Sequence, residues 1–326
     1  MTKYIEIKGG TVQSVDADPP ATQVGQVWFN TGSGTLKGYA TAAGAWASGG
    51  NLNAARSGRA AAGTQTTGIA FGGWNPTTSV HASTEKYDGS SWTEVTDMNT
   101  ARASLAGASN GSQTASLAFG GSVASPAAQV VSEEYDGTNW AEGNDLNAGK
   151  WYGAGSGTQT AALAIGTAAF PGQAIAGIVE AYDGTSWSEV NDLNTGRDFN
   201  VACGTQTASL TFQGESTPGP NTVNVELYNG TSWSEVGNMN TARNAGGGAG
   251  ISTAAITFAG IGLSAATESY DGTSWTEVAD LATARQRIAG AGTSIAALGI
   301  GGQSPPVIAN VEEWTVSDEV QTLTVS

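Results

Sequence analysis

The chain has 326 residues, of which only 12% are charged, with 12 lysines and arginines against 28 aspartates and glutamates for a net charge of −16. So few cations argue against a nucleic-acid backbone as ligand, because that binding needs clustered Lys and Arg, and against anionic membrane surfaces. A lone cysteine, Cys203, excludes an intrachain disulfide framework; no apolar run is long enough for a signal peptide or a membrane span, so the expectation is assembly in a cytoplasm.

Residues 1–25 include the polar, proline-bearing stretch DADPPATQ, which reads as a linker or an extended arm. Next, GQVWFNTGSGTLKGY predicts a strand, a Gly-Ser-Gly turn and a second strand, and Trp46 follows in GAWASGGNLN. These features divide the chain into residues 1–43, an arm and β-hairpin serving attachment or closure, and residues 44–326, a repeat domain.

The repeat is marked by YDGSSW from Tyr87, YDGTNW from Tyr135, YDGTSW from Tyr182, YNGTSW from Tyr228 and YDGTSW from Tyr270, at intervals of 42 to 48 residues. Trp314 in VEEWTV takes the tyrosine place a sixth time. Each unit predicts four short strands: a small-residue strand after NTAR, an apolar strand ending in glycine, a third ending at the aromatic, and a fourth starting at tryptophan. The Asp-Gly or Asn-Gly between the last two is expected to supply the positive φ angles of a tight hairpin turn. The 47 glycines and the lack of a 3.6-residue apolar period exclude a helical solenoid. Four strands per 40–50 residues, repeated, predict an all-β propeller.

The last unit lacks its tryptophan strand, whereas the N-terminus has a spare one at Trp46. Six blades, closed by pairing of N- and C-terminal segments, satisfy both. The alternative is a seventh, composite blade made from QVWFN, LKGYA, GAWAS and the C-terminal TLTVS.

The glycine pairs Gly72-Gly73, Gly120-Gly121 and Gly301-Gly302, each followed downstream by an aromatic, resemble the kelch repeat. Gly166-Thr167, Gln213-Gly214 and Ala259-Gly260 depart from that pattern. The resemblance covers residues 44 to 317 and implies a kelch-type β-propeller without implying one function. The hairpin positions Gly25, Trp28, Phe29, Asn30, Lys37, Tyr39 and Trp46 resemble a hairpin of tailed-phage virion proteins. Together with the Ala/Gly/Thr-rich kelch units, the chain is similar to propeller proteins of marine phages.

Little in the chain points to catalysis. His81 is the only histidine, in a loop without a nucleophile signature. Cys203 lies among small residues with no basic partner, which reads as a small buried hydrophobe. A copper oxidase site on a kelch fold needs several histidines, and no metal site or cofactor is expected.

Six cations recur at one repeat position: Arg56, Arg102, Lys150, Arg197, Arg243 and Arg285. Six glutamates recur two residues before the third-strand aromatic: Glu85, Glu133, Glu180, Glu226, Glu268 and Glu312. Matched counts that obey the repeat predict structural ion pairs rather than an anion-capturing ring. Asn51, Asp97, Asp145, Asp192, Asn238 and Asp280 form a third set, read as turn chemistry rather than calcium ligands.

The loops between second and third strands vary most and hold seven of the nine prolines. Diverse loops on a regular scaffold make the natural binding face. Trp74, Asn75, His81, Phe170 and Asn221 are its candidate contacts. The reading is a non-enzymatic phage virion protein, tail-associated or capsid-decorating, that contacts host-surface glycan or another virion protein, with no nucleic acid bound and no membrane insertion. It is assembled in the host cytoplasm. Alternatives are a kelch adaptor or bacterial surface binding protein, and a glycan-active enzyme on the same scaffold.

Overall fold

Short runs of apolar and β-branched residues broken by glycine leave this chain strands and turns as its regular elements. The computed structural model describes residues 12–20, 23–77, 79–123, 128–169, 174–216 and 221–323, and of residues 168, 169 and 174 the backbone only. Among the described residues there is no helix, and seven four-stranded sheets make the protein all-β in a manner consistent with a propeller. Two compact units are formed, Met1–Gly44 with Val316–Ser326, and Ala45–Thr315.

In the first unit, Val27–Asn30 pairs in parallel with Gln13–Val15 and antiparallel with Thr35–Thr41, which pairs in turn with Asp318–Thr322. Asp18, within the stretch expected to be a linker, is an anchor. Its carboxylate accepts from Lys37 Nζ at 2.7 Å, Asn30 Nδ2 at 2.7 Å and Trp28 Nε1 at 3.0 Å. Those bonds, Lys37 foremost, hold the carboxyl down at about 2.

The second unit holds the repeats. Its first sheet runs Ala60–Gly63, Gly68–Phe71, Thr84–Tyr87, Trp92–Val95, each strand antiparallel to the next. The following four sheets repeat that order. The sixth is Ala289–Gly292, Ala296–Gln303, Val307–Thr315 and, from the other end of the chain, Ala45–Ser48. There Trp46 lies opposite Trp314 with ring centroids 5.6 Å apart, packs edge-on against Phe258 at 4.9 Å and donates through Nε1 to Thr267. A composite sheet uniting QVWFN, LKGYA and GAWAS does not form, because GAWAS completes the sixth sheet while QVWFN pairs with LKGYA and only LKGYA pairs with Asp318–Thr322.

Neighbouring sheets are sealed by aromatics. Within the first sheet Tyr87 stacks on Trp92 at 4.9 Å, and its Phe71 meets Trp140 of the second sheet at 5.0 Å. Phe119 meets Trp187 and Phe212 meets Trp275 in the same way. Leu298 and Ile300 of the sixth sheet share a core with Tyr87 and Trp92 of the first.

First strands contact one another in the cyclic order Ala60–Gly63, Ala106–Gly107, Ala154–Thr158, Val201–Thr205, Gly247–Ile251, Ala289–Gly292 and back to Ala60–Gly63. Their small residues follow from that approach: a Cβ on Gly155 would fall 2.3 Å from the Gly107 carbonyl oxygen, and one on Gly290 2.2 Å from that of Gly248.

The hairpin between third and fourth strands departs from the expectation that Asp-Gly supplies more than one positive φ angle. Four residues separate Tyr87 from Trp92, and only Gly89 has positive φ, at 93°. Asp88 keeps ordinary backbone angles because its carboxylate caps the turn, accepting from the amides of Ser90 at 2.9 Å and Ser91 at 2.8 Å. The first residue of the glycine pair ending the second strand is left-handed at every repeat, and the second has positive φ in five of the six, Thr167 being the exception. Gln213 and Ala259 adopt φ of 52° and 66° where Gly72 has 65°.

Because Ala45–Ser48 supplies the outer strand of the sixth sheet, deleting residues 1–50 strips Val311 and Trp314 of their cover. Calorimetry is expected to show loss of the single cooperative transition of the full chain. Retention of the wild-type melting profile in that truncation contradicts the structural role of this strand.

Candidate functional site

Each buried glutamate of the third strand is met by donors from the segment that joins two sheets. Glu226 Oε1 accepts from Arg197 Nη2 at 2.6 Å, while its other oxygen accepts from the amide and side chain of Asn194, at 2.8 and 3.0 Å. Equivalent pairs are Arg56–Glu85, Arg102–Glu133, Lys150–Glu180, Arg243–Glu268 and Arg285–Glu312, with the lysine pair longest at 3.6 Å. None of the twelve residues is more than 3% exposed. Burial pulls the arginines below their ordinary value, and the facing carboxylates oppose it.

Of the third set of polar residues, Asn51, Asp97, Asp192 and Asp280 accept from a third-strand amide of their own sheet, as Asp97 does from Thr84. Glutamines of the GTQT-type turns, which the sequence reading passed over, form another tie between sheets. Gln113 Nε2 donates to Tyr87 O at 2.6 Å and Gly68 O at 3.0 Å, both in the preceding sheet, and Gln65, Gln159 and Gln206 act alike.

Two residues beyond each recurrent cation the backbone turns left-handed: Gly58, Ser104, Tyr152, Phe199, Ala245 and Arg287 have φ between 48° and 60°. Their peptide groups bond in a closed circuit. Ser104 N donates to Gly58 O at 2.6 Å, Tyr152 N to Ser104 O at 3.2 Å, Phe199 N to Tyr152 O at 2.7 Å, Ala245 N to Phe199 O at 3.1 Å, Arg287 N to Ala245 O at 2.6 Å and Gly58 N to Arg287 O at 3.2 Å.

The variable loops flank this circuit, since Trp74 bridges Ser57, Ser122 bridges Ala103, Glu215–Ser216 pairs with Arg197–Asp198, and Gln303 bridges Gln286. Its side chains break the repeat symmetry. Trp151 stacks on Tyr152 at 4.4 Å, Tyr152 stacks on Phe199 at 3.8 Å, and the Arg287 guanidinium lies 5.9 Å from the Phe199 ring centre. Bulky residues at positive φ are strained by about 1–2 kcal/mol each, a cost found where function holds the conformation.

A concavity of about 250 Å³ opens beside the circuit, lined by Trp74, Trp151, Tyr152, Arg287 and the serines 57, 79, 104 and 122 among others. A smaller one of about 90 Å³ adjoins it at Arg59, Tyr152, Phe199, Asn200 and Arg287. Of the five residues expected to form the binding face, Trp74 lines the larger concavity. Asn75 is engaged internally, donating to Ala55 O at 2.6 Å and accepting from Thr77 N. Asn221 accepts from Asn244 at 2.8 Å. The His81 backbone holds its loop through Gly73 and Arg102, and burial, with Arg56 adding to it, keeps the imidazole below its ordinary value. Phe170 lies outside the described residues.

Tyr152, Phe199, Arg59 and Arg287 escaped the sequence reading because they stand where the repeat varies. A signal was present: the positions two and three beyond the recurrent cation hold Gly-Arg, Ser-Leu, Tyr-Gly, Phe-Asn, Ala-Gly and Arg-Ile in turn.

Cys203 is fully buried, and burial pushes its thiol up to about 12. No group of histidines, cysteines and acids able to hold a metal occurs among the described residues. Asp198, beside Phe199, has its carboxyl pushed up to about 7, by burial first and then by Glu215, its partner across the strand pairing. No family model matches the sequence, and no curated protein matches it.

Removing one member of a buried pair strands the other as an uncompensated charge, so Arg197→Ala is expected to cost about 3–5 kcal/mol in denaturant unfolding. Adding Glu226→Gln is expected to recover part of that loss. A single-variant cost within error of zero contradicts the pairing.

Asp198 gives a pH signature. Its unfolded carboxyl ionises near ~3.9, whereas in the fold it keeps its proton up to about 7. The folded state holds the extra proton, so its contribution is complete below the unfolded value and is lost as pH rises through the folded one. Melting temperatures between pH 4 and 7 are therefore expected to fall less in Asp198→Asn than in wild type. Parallel slopes in the two proteins refute this.

Proposed function

We propose that the repeat unit is a six-bladed, kelch-type propeller and that the chain is a non-enzymatic recognition protein of a phage virion. It is assembled in the host cytoplasm and binds host-surface glycan or another virion protein. Support for six blades comes from the six repeat sheets, the cyclic contacts of their first strands and the closed circuit of six backbone bonds. The kelch and virion parts rest on the glycine pairs and on the hairpin around Trp28, Asn30 and Lys37.

One observation carries recognition. On a scaffold that repeats its ion pairs, turns and aromatics, side-chain symmetry fails at the concavity where Trp74, Trp151, Tyr152 and Arg287 meet. Flat aromatic faces beside hydroxyls and a guanidinium form a surface suited to sugar rings, whose C–H faces lie on aromatics while their hydroxyls bond polar rims. Its volume is below the ~300–1,000 Å³ of drug-sized pockets. It therefore takes a small group or the end of a chain.

Hydrolysis is a second reading because Asp198 and Glu215 oppose one another on paired strands, one of them with a raised pKa. Neither lines the concavities beside the circuit, and Asp198 is buried. Recognition without turnover is accordingly preferred.

Trp74→Ala combined with Tyr152→Ala is expected to reduce attachment to host cells at least ~10-fold with the fold intact by circular dichroism, the scale expected when two aromatic anchors are lost. Mass spectrometry of purified virions should find the chain among their proteins. Undiminished attachment by the double variant overturns the assigned face, and absence from virions overturns the virion role.

A further inference from the structure

Among the described residues seven cations are ion-paired, and the three that are not are Arg59, Lys86 and Arg287. Lys86 is accounted for: its ammonium donates to Gly137 O at 2.8 Å and lies 5.0 Å from the Tyr135 ring centre. The other two line the same concavity, beside the backbone circuit, in a protein whose net charge is −16.

Arg59 is 5% exposed. Its guanidinium donates to the carbonyls of Arg56 and Ile300, its Nε has no partner, and no carboxylate is within ion-pair distance. Positive charge from Arg56 and Arg285 adds to the penalty of its burial. Arg287 holds its position by its backbone amide and by its place over Phe199, while its Nε is buried without a partner. Burying a cation with no carboxylate in contact is among the costliest things a fold does, and Arg59, which Glu85 favours only from a distance, is so placed, whereas Arg287 is half-buried. Both sites break the repeat, which places Leu, Gly, Asn or Ile at the position of Arg59 and small or aromatic residues at that of Arg287.

We infer that this mouth takes a negatively charged saccharide residue, its anionic group received by Arg287 and Arg59 and its ring laid against Tyr152 and Phe199. The inference rests on the glycan reading above and narrows it to one class of sugar. A guanidinium presents paired N–H donors in the geometry of a carboxylate, sulfate or phosphate, so the incoming anion supplies the counter-charge that the fold withholds. Tyr152 and Phe199 form one stacked slab next to these donors, which fixes the sugar plane relative to its charge.

The test is a binding panel on the full chain: uronic-acid oligomers, sialyllactose and sulfated disaccharides, each beside its neutral counterpart (methyl ester, lactose or unsulfated disaccharide). At least one acidic member is expected to bind ~10-fold or more tighter than its neutral partner, with affinity falling as salt is raised. Arg287→Ala should abolish that preference at an unchanged melting temperature, and Arg287→Lys should restore part of it, since the charge returns without the fork. Methyl-ester titration of wild type provides the same comparison without any variant. Equal binding of acidic and neutral partners overturns this inference and leaves the glycan reading standing. Binding of no saccharide in the panel overturns both.

Discussion

A carboxylate buried beside a sheet is tolerated only when donors meet its lone pairs, and that demand ties each sheet of the repeat unit to the one before it. Glu226 illustrates it. The donors it accepts from, Asn194 and Thr195 amides, the Asn194 side chain and Arg197, all lie on the segment leaving the previous sheet. Arg197 is itself spent on the Asn224 carbonyl at 2.6 Å, and the Asn194 side chain also reaches Trp233 O. The module thus converts a flexible connection into a fixed spacing between sheets, and in five of the six repeats an Asn side chain reaches the main-chain oxygen of the next tryptophan.

Fixed spacing has consequences at the other end of each segment. Once the cation is locked, the chain must reverse within two residues to begin the first strand, and it does so through one left-handed residue whose amide meets the neighbouring repeat. Glycine is the cheapest occupant of such a position, yet it occurs once, at Gly58. Tyr152, Phe199 and Arg287 accept the strain, and their side chains are the ones gathered beside the concavity. The scaffold's regularity creates the place where irregularity can be displayed.

Strand number, strand order and the pairing of two charge sets were legible in the sequence because they repeat: Tyr87 to Trp92, six cations against six glutamates, the spare strand at Trp46; which glutamate each cation meets, as Arg56 meets Glu85 and Arg197 meets Glu226, needed the fold. Local chemistry that repeats but has several solutions was less so. Asp88 caps its turn with a side chain, so only Gly89 needs positive φ, and Gln113 reads as an ordinary turn residue until the neighbouring sheet's carbonyls lie beside it. Asp18 was hidden for a different reason. A polar stretch with prolines looks like a linker unless the Trp28, Asn30 and Lys37 donors are known to converge on it. The site was least legible, because reading a repeat averages away the positions that carry Tyr152, Phe199, Arg59 and Arg287.

The distribution of charge links the scaffold to what it excludes. Glu94, Glu142, Glu189, Glu235 and Glu277 stand exposed on the fourth strands, each directly opposite a buried glutamate such as Glu85 or Glu226. Like charges so placed repel. The repulsion is relieved inside by the arginine or lysine of each pair and outside by water. The outer glutamates have two effects. They keep the unpaired edges of the fourth strands from joining other strands, which is how exposed edges avoid aggregation, and they make those edges inhospitable to anions. Of the three cations in the described repeats that make no ion pair, two, Arg59 and Arg287, lie together at the concavity, so on the inference above an anion repelled by the edges finds its complement there.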